Sequence, residues 1–427
     1  MLSLKIIVIM FILTLCIILF LFFNKKDLKR LFIKTASYVI VFSLSLVSTA
    51  CYSQIRFFGR KATDIVLDKM DKGRFTLKPI GESLEGYAYT SFSSGCVFAG
   101  KELYAFRAAS GHFTVANNYG TILFYERVKS IFRRVLVNLN YDSSKYGELR
   151  DPNLSVSRDG TRLYVTCFTA YSSDRTGTHH SIIFILNKEL QQIGTIIVPD
   201  TVFWGNTLET PKGYLLHADY GGNEINIYKS TATINKLNDN EAKNIKMLKI
   251  LTLKGQRDRK FAEPTIGYYD DKLVLLARSG GKLPAVCSLT YNLEGVGDWK
   301  ELSDIEYIIH APCLQPYSAG KYLVYSGSII NANITGGGTR KRMPYVGLID
   351  FSSGTAKSVS GVLTDNKYTW GNNGYGGYTT LVKIDEDNYG VMYYNDTSKE
   401  ETLMESLYFK IVNIKELLKT DKHRRYG

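Results

Sequence analysis

The residues Trp370-Gly-Asn-Asn-Gly-Tyr375-Gly-Gly-Tyr378 run into an apolar stretch at 379–382, a turn at 385–388 and a second strand-like stretch at 389–394. This spacing predicts a β-hairpin entered through a glycine-rich turn, with Tyr378 on its lip. Glycine adopts positive φ without strain and adds no side-chain bulk. A phenol there is poorly placed for a core and well placed for an open cleft. In that setting it is a candidate nucleophile at an anomeric carbon, a role that carboxylates fill in most glycosidases. A phenol titrates near about 10, so it needs a neighbouring base to attack. The plainer alternatives are an aromatic wall that stacks a sugar, or an ordinary turn.

Other residues able to do chemistry are spread along the chain near strand ends. Arg107 ends an apolar run and precedes Ala-Ala-Ser-Gly-His112. Asp151 lies in Leu149-Arg-Asp-Pro-Asn153, and Glu263 opens Glu-Pro-Thr-Ile. Arg278 closes the hairpin that Glu263 begins, His310 leads Ala-Pro-Cys-Leu, and Arg342 leads Met-Pro-Tyr-Val, with Arg340 as its rival. Each arginine taken singly is better read as a surface or interblade ion pair. A guanidinium fork matches carboxylate geometry and stays charged.

The elements that must position these residues are short strands. Apolar runs of four to eight residues recur at 96–99, 103–106, 121–125, 162–168, 181–186, 214–217, 272–277, 322–326, 345–349 and 388–394, each closed by a Gly, Asp or Asn turn. Thirty tyrosines and 36 glycines against nine prolines favour strands and tight turns. Helical periodicity is confined to 412–418. The rhythm predicts an all-β fold, and a body of this size suits a ring of four-stranded blades better than one sandwich. Ligands of such rings sit at the mouth of the central channel, where inner strands from every blade converge.

The N-terminus reads differently. Residues 4–23 form an apolar run long enough to span a bilayer, and a second run covers about 36–52. Lys25, Lys26, Lys29, Arg30 and Lys34 lie between them, which places that loop on the cytoplasmic side. The expected organisation is a membrane anchor over 1–54, a connector with a closing strand over 55–85, and a β domain over 86–427 ending in the basic tail 419–425. A rival reading is a lipoprotein-type signal ending at Cys51. Both readings export the domain to the periplasm or cell exterior.

The net charge of +13 comes from scattered lysines and arginines, with no basic helix, finger or aromatic RNA-binding motif, which argues against nucleic acid. Cys96, Cys167, Cys287 and Cys313 are far apart without CxxC spacing, so zinc and redox motifs are unsupported, and these residues suit burial as small apolar groups. One or two disulfides are compatible with export. His179 and His180 are the only adjacent histidines, and strand neighbours face opposite sides, so no metal site is expected. Serine elbows and phosphate loops are absent, and no cofactor is called for.

The stretch 263–278, with Leu103-Tyr-Ala-Phe-Arg107 and the glycine-rich turn to Tyr378, resembles the sialidase (neuraminidase) superfamily across most of 90–410. That resemblance implies a six-bladed propeller. It implies that Arg107, Arg278 and Arg342 clamp a sugar carboxylate, that Tyr378 is a nucleophile with Glu263 as its base, and that an aspartate is acid/base. This sequence departs from the pattern. Residues 108–134 contain no aspartate, offering only His112 and Glu126, and the first arginine lacks its nearby proline. The Asp-box turn is reduced to Ser157-Arg-Asp-Gly-Thr161. Asp151 or His112 is the substitute acid, and Arg-Asp-Pro also resembles a motif of five-bladed fructosidases and arabinosidases. Three readings follow: a retaining exo-glycosidase for a terminal acidic sugar, a non-catalytic carbohydrate-binding propeller, and an inverting or lyase-type polysaccharide enzyme using His112, His310 or Asp151.

Overall fold

The computed structural model describes residues 65–415 apart from 72–73, 79–88, 110–119, 130, 171–178, 220–223, 235–243, 255–260, 270–271, 280–285, 291, 294–298, 305–307, 318–321, 331–342, 351–356, 363–378 and 396–405. Two compact units are separable, Met1–Ala62 and Thr63–Gly427. The apolar runs at 4–23 and 36–52, Cys51 and the basic tail lie outside the described residues. No helix among the described residues is long and apolar enough to cross a membrane.

The second unit is all-β. It begins with the hairpin β1 (Ile65–Asp71) and β2 (Arg74–Lys78). There follow β3 (Tyr89–Phe98), β4 (Lys101–Ala109), β5 (Thr121–Val128) and β6 (Ile131–Val135). One helical turn, Ser143–Tyr146, precedes β7 (Glu148–Val156), β8 (Leu163–Ala170), β9 (His180–Leu186) and β10 (Gln192–Pro199). Next come β11 (Leu208–Glu209), β12 (Leu215–Ala218), β13 (Glu224–Ser230) and β14 (Met247–Lys254). Then β15 (Phe261–Tyr269), β16 (Lys272–Ser279), β17 (Val286–Thr290) and β18 (Lys300–Asp304). After them lie β19 (Ile308–Tyr317), β20 (Tyr322–Ile330), β21 (Met343–Asp350) and β22 (Lys357–Val362). The chain finishes with β23 (Thr379–Lys383), β24 (Asn388–Asn395) and β25 (Ser406–Asn413). Strands β7 to β22 make four antiparallel sheets of four. The rest form a nine-stranded sheet in which β2 pairs with β25 and β1 pairs with β6, joining the last strands to the first. The helical reading at 412–418 needs correction at its start: Val412 and Asn413 belong to β25, paired with β24, while Ile414 and Lys415 are helical and 416–418 lie outside the described residues. The hydrogen-bonding edge of β24 captures that segment over its local periodicity.

Burial explains the sequence rhythm. β9 is buried along nearly its whole length and reads as the continuous run Ser-Ile-Ile-Phe-Ile-Leu, because both of its faces are covered. The outer strand β10 alternates buried and half-buried residues, as a strand covered on one face does. Six apolar clusters bind consecutive groups of strands. Phe124 with Val165 joins the first group to the second. Ile183 with Leu215, Ile227 with Ile266, and Leu276 with Leu314 continue the series. Val324 with Leu381 follows, and Val382 with Phe106 returns to the first group. Cys96, Cys167 and Cys287 are buried and Cys313 half-buried, all four as free thiols. Ser157 Oγ accepts from the backbone N–H groups of Thr161 and Arg162 and donates to Asp159, so the Asp-box remnant is a working turn.

Candidate functional site

The site is built by one backbone device used repeatedly. In β7 the pairing with β8 steps from Arg150–Phe168 to Asn153–Thr166, so three residues on β7 span two on β8. The same single-residue bulge occurs in β15 between Ala262 and Thr265, in β19 between His310 and Cys313, and in β3 between Ser91 and Ser94. In β7, β15 and β19 the extra step is a residue at left-handed φ followed by proline: Asp151 (48°) with Pro152, Glu263 (47°) with Pro264, Ala311 (47°) with Pro312. Proline has no N–H to give to the ladder and is tolerated at a bulge. A non-glycine residue held at positive φ costs about 1–3 kcal/mol, a strain that tends to occur at functional sites. Before β11, Gly205 takes φ 78°, and a Cβ there would meet Pro264 O at 2.7 Å, so this turn is pressed against the β15 bulge.

The bulges set equivalent positions on the second strands. Arg107 in β4 pairs with Ser91 and Arg278 in β16 pairs with Ala262, each opposite the residue just before a bulge. Phe168 and Ser328 hold the same position in β8 and β20. The bulges also approach one another. Ala109, Trp204 and Ala311, from three groups of strands, share one apolar cluster with Phe168 packed on it. Asn206 Nδ2 donates to Leu314 O at 3.2 Å, across the intervening sheet.

Charged side chains meet at this end. Arg107 Nε and Nη2 both donate to Glu148 Oε1, at 2.9 and 2.8 Å, with the two side chains only 1% and 2% exposed. Arg150 Nη2 lies 3.6 Å from Glu148 Oε2. On the neighbouring bulge, Arg278 Nη1 donates to Glu263 Oε1 at 3.0 Å and the Ala311 N–H donates to Glu263 Oε2 at 2.6 Å. Glu263 is buried, while the Arg278 side chain is 25% exposed. Asp151 is buried, and its Oδ1 has no hydrogen-bond partner among the described residues. Burial pushes its carboxyl up to about 7 against the opposing pull of Arg107 and Arg150, with Glu148 and Glu263 adding to the rise. Among the described residues no three His, Cys, Asp or Glu side chains converge on a metal position.

The structure thus brings Arg107, Asp151, Glu263 and Arg278 to one end of the inner strands. His310 is buried in β19, directly before the Ala311 amide that holds Glu263. Asp151 and Glu263 sit inside their strands rather than at strand-end turns. His112, Arg340, Arg342 and Tyr378 lie outside the described residues. Thr379, which follows Tyr378, is fixed: its carbonyl accepts from Cys313 Sγ at 3.7 Å, and Thr380 Oγ1 lies 2.9 Å from Ser93 Oγ. The sequence reading missed Glu148 and Arg150. Their signal was a pair of opposite charges two apart at the start of β7, which places both on one face. A separate cavity of about 540 Å3 opens at the opposite ends of the same strands, beside Ser155, Glu209, Tyr268, Gln315 and Lys383, and includes none of the cluster.

The fold is sialidase-like, and the solved structures it resembles bear this out at low sequence identity. The NanB sialidase from Streptococcus pneumoniae superposes with a TM-score of 0.55 at 11% identity, over 79% of this chain and 71% of that one. The Hadza microbial sialidase Hz136 gives 0.53 at 11% identity, over 78% and 67%. A protein of unknown function from Dyadobacter fermentans gives 0.55 at 12% identity, over 82% of this chain and 99% of that one. No protein-family model and no curated protein matches the chain.

Proposed function

We propose that the chain is an exported, membrane-anchored glycoside hydrolase on a six-bladed propeller, a retaining exo-glycosidase that removes a terminal acidic sugar. The observation that carries this is the buried carboxyl of Asp151 set among Arg107, Arg150, Glu148 and Glu263 from three groups of strands, where burial raises its pKa to about 7. An acid with a pKa near working pH both gives and retrieves a proton. The ring of six apolar clusters supports the propeller, with β2 completing the group of β23, β24 and β25. The fixed hairpin after Tyr378 supports delivery of its phenol to the same end.

In this reading Arg107, Arg278 and Arg342 hold the sugar carboxylate. Tyr378 oxygen attacks the anomeric carbon and its proton passes to Glu263. Asp151 protonates the leaving oxygen as the glycosidic bond breaks. Water then attacks the same carbon, giving its proton to Asp151, and the phenolate leaves and recovers its proton from Glu263. Glu263 is held for this by Arg278 on one oxygen and the Ala311 amide on the other.

A second reading, a non-catalytic carbohydrate-binding propeller, draws on the burial of Arg107 behind Glu148. One experiment separates the two. The purified protein is assayed on aryl sialosides and neutral aryl glycosides, with Glu263→Gln and Tyr378→Phe alongside. Turnover lost in both variants with binding kept supports the hydrolase. Saturable binding without turnover in the unaltered protein supports the second reading. Turnover that survives Tyr378→Phe overturns the retaining mechanism.

A further inference from the structure

We infer that Gly120 is a positioning residue: the absence of a side chain there lets Glu148 reach Arg107 and so orients that guanidinium. The ligand consequence rests on the reading of the cluster as an anionic-sugar site; the positioning itself does not. Gly120 is buried and directly precedes β5, the strand that pairs with β4 alongside Arg107. A Cβ at Gly120 would stand 2.5 Å from Glu148 Cδ and 2.6 Å from its Cγ, and would overlap Oε1. Oε1 is the atom that accepts both hydrogen bonds from Arg107.

The surroundings leave Glu148 little room to yield. Its side chain is almost fully buried, and its other oxygen lies toward Arg150. Protein interiors are close-packed, so a displaced carboxylate has no ready alternative place. Any side chain at 120 therefore acts on Arg107 through Glu148. Gly120 needs no positive φ, so the requirement is one of space rather than of backbone conformation.

A double-mutant cycle tests this. Gly120→Ala is made in the unaltered protein and in a background lacking the pair, Arg107→Met with Glu148→Ala; Glu148→Ala alone is a second background. Thermal unfolding is the first readout. The expected result is a fall of about 5–10 °C in the unaltered protein and under about 2 °C where Glu148 is gone. Equal falls in all backgrounds overturn the proposal, since a purely backbone role costs the same with or without Glu148. If Gly120→Ala fails to fold alone, folding restored by removal of Glu148 supports the proposal, and failure in every background that folds without it overturns it. Calorimetric binding of DANA, the inhibitor held by the Trypanosoma rangeli sialidase structure, is the second readout. About tenfold weaker binding by Gly120→Ala is expected, equivalent to a small misalignment of one ion pair. No binding by the unaltered protein counts against the anionic-sugar reading, while the thermal cycle still decides the role of Gly120.

Discussion

Arg107 with Glu148, and Arg278 with Glu263, are the same pairing in two settings. Both arginines stand opposite a residue that precedes an inner-strand bulge. The first pair is sealed, with both side chains almost wholly buried. In the second, Glu263 is buried but Arg278 keeps a quarter of its side chain open, and a backbone amide replaces the second guanidinium contact. Identical register does not give identical work. In the first pair the carboxylate fixes the direction of the guanidinium on a sealed background, and in the second the guanidinium keeps an open edge.

That contrast can be broken from its strong side first. Glu148→Ala leaves Arg107 buried without its carboxylate partner and is expected to cost about 3–5 kcal/mol in chemical denaturation. Arg278→Met leaves Glu263 buried but still held by the Ala311 amide, and is expected to cost less, about 1–3 kcal/mol. Similar losses from both would erase the distinction between the sealed and the half-open pair. Substitution of the sealed pair together, Arg107→Met with Glu148→Ala, should recover part of the Glu148→Ala loss, because no uncompensated charge then stays buried.

Asp151 sharpens the comparison through pH. Its folded pKa, about 7, lies above the ordinary carboxylate value of 3.8. Between those values the native state holds a proton that the unfolded state has released, so this group's contribution to stability falls as pH rises from about 4 to 7 and is then level. Asp151→Asn should flatten that slope in pH-dependent unfolding. In an activity assay it should also remove a basic limb near pH 7, where the acid form is lost. A smaller effect is expected from Pro264→Ala. It leaves the Glu263 contacts in place and frees the chain before folding, so stability should drop by about 1 kcal/mol or less, read from the denaturation midpoint, with less disturbance than Glu263→Gln causes to turnover.

The strand rhythm was legible in the sequence because buried middle strands are continuous apolar runs. Ser-Ile-Ile-Phe-Ile-Leu in β9 needs no tertiary information to read. Arg107, Asp151, Glu263 and Arg278 were legible as chemically able residues near strand ends. Glu263 and Arg278 share one hairpin, but the convergence of that hairpin with Asp151 and Arg107 rested on resemblance, since positions 107, 151 and 263 are too far apart in sequence to carry a local signal. Glu148 stayed hidden because its partner is chosen by the bulge register and by the empty space at Gly120, and neither is a property of one residue type. The internal repeat escaped notice for a related reason. Arg150-Asp-Pro, Ala262-Glu-Pro and His310-Ala-Pro share only a proline and a backbone turn, and loops of unequal length separate them.

The left-handed step before each of those prolines works as an interchangeable socket. Aspartate, glutamate and alanine occupy it on three strands while the chain follows the same path. The chemistry presented there is therefore decoupled from the scaffold that presents it. A lineage built on this framework can exchange an acid for an inert methyl, or the reverse, by a single codon and without redrawing the fold.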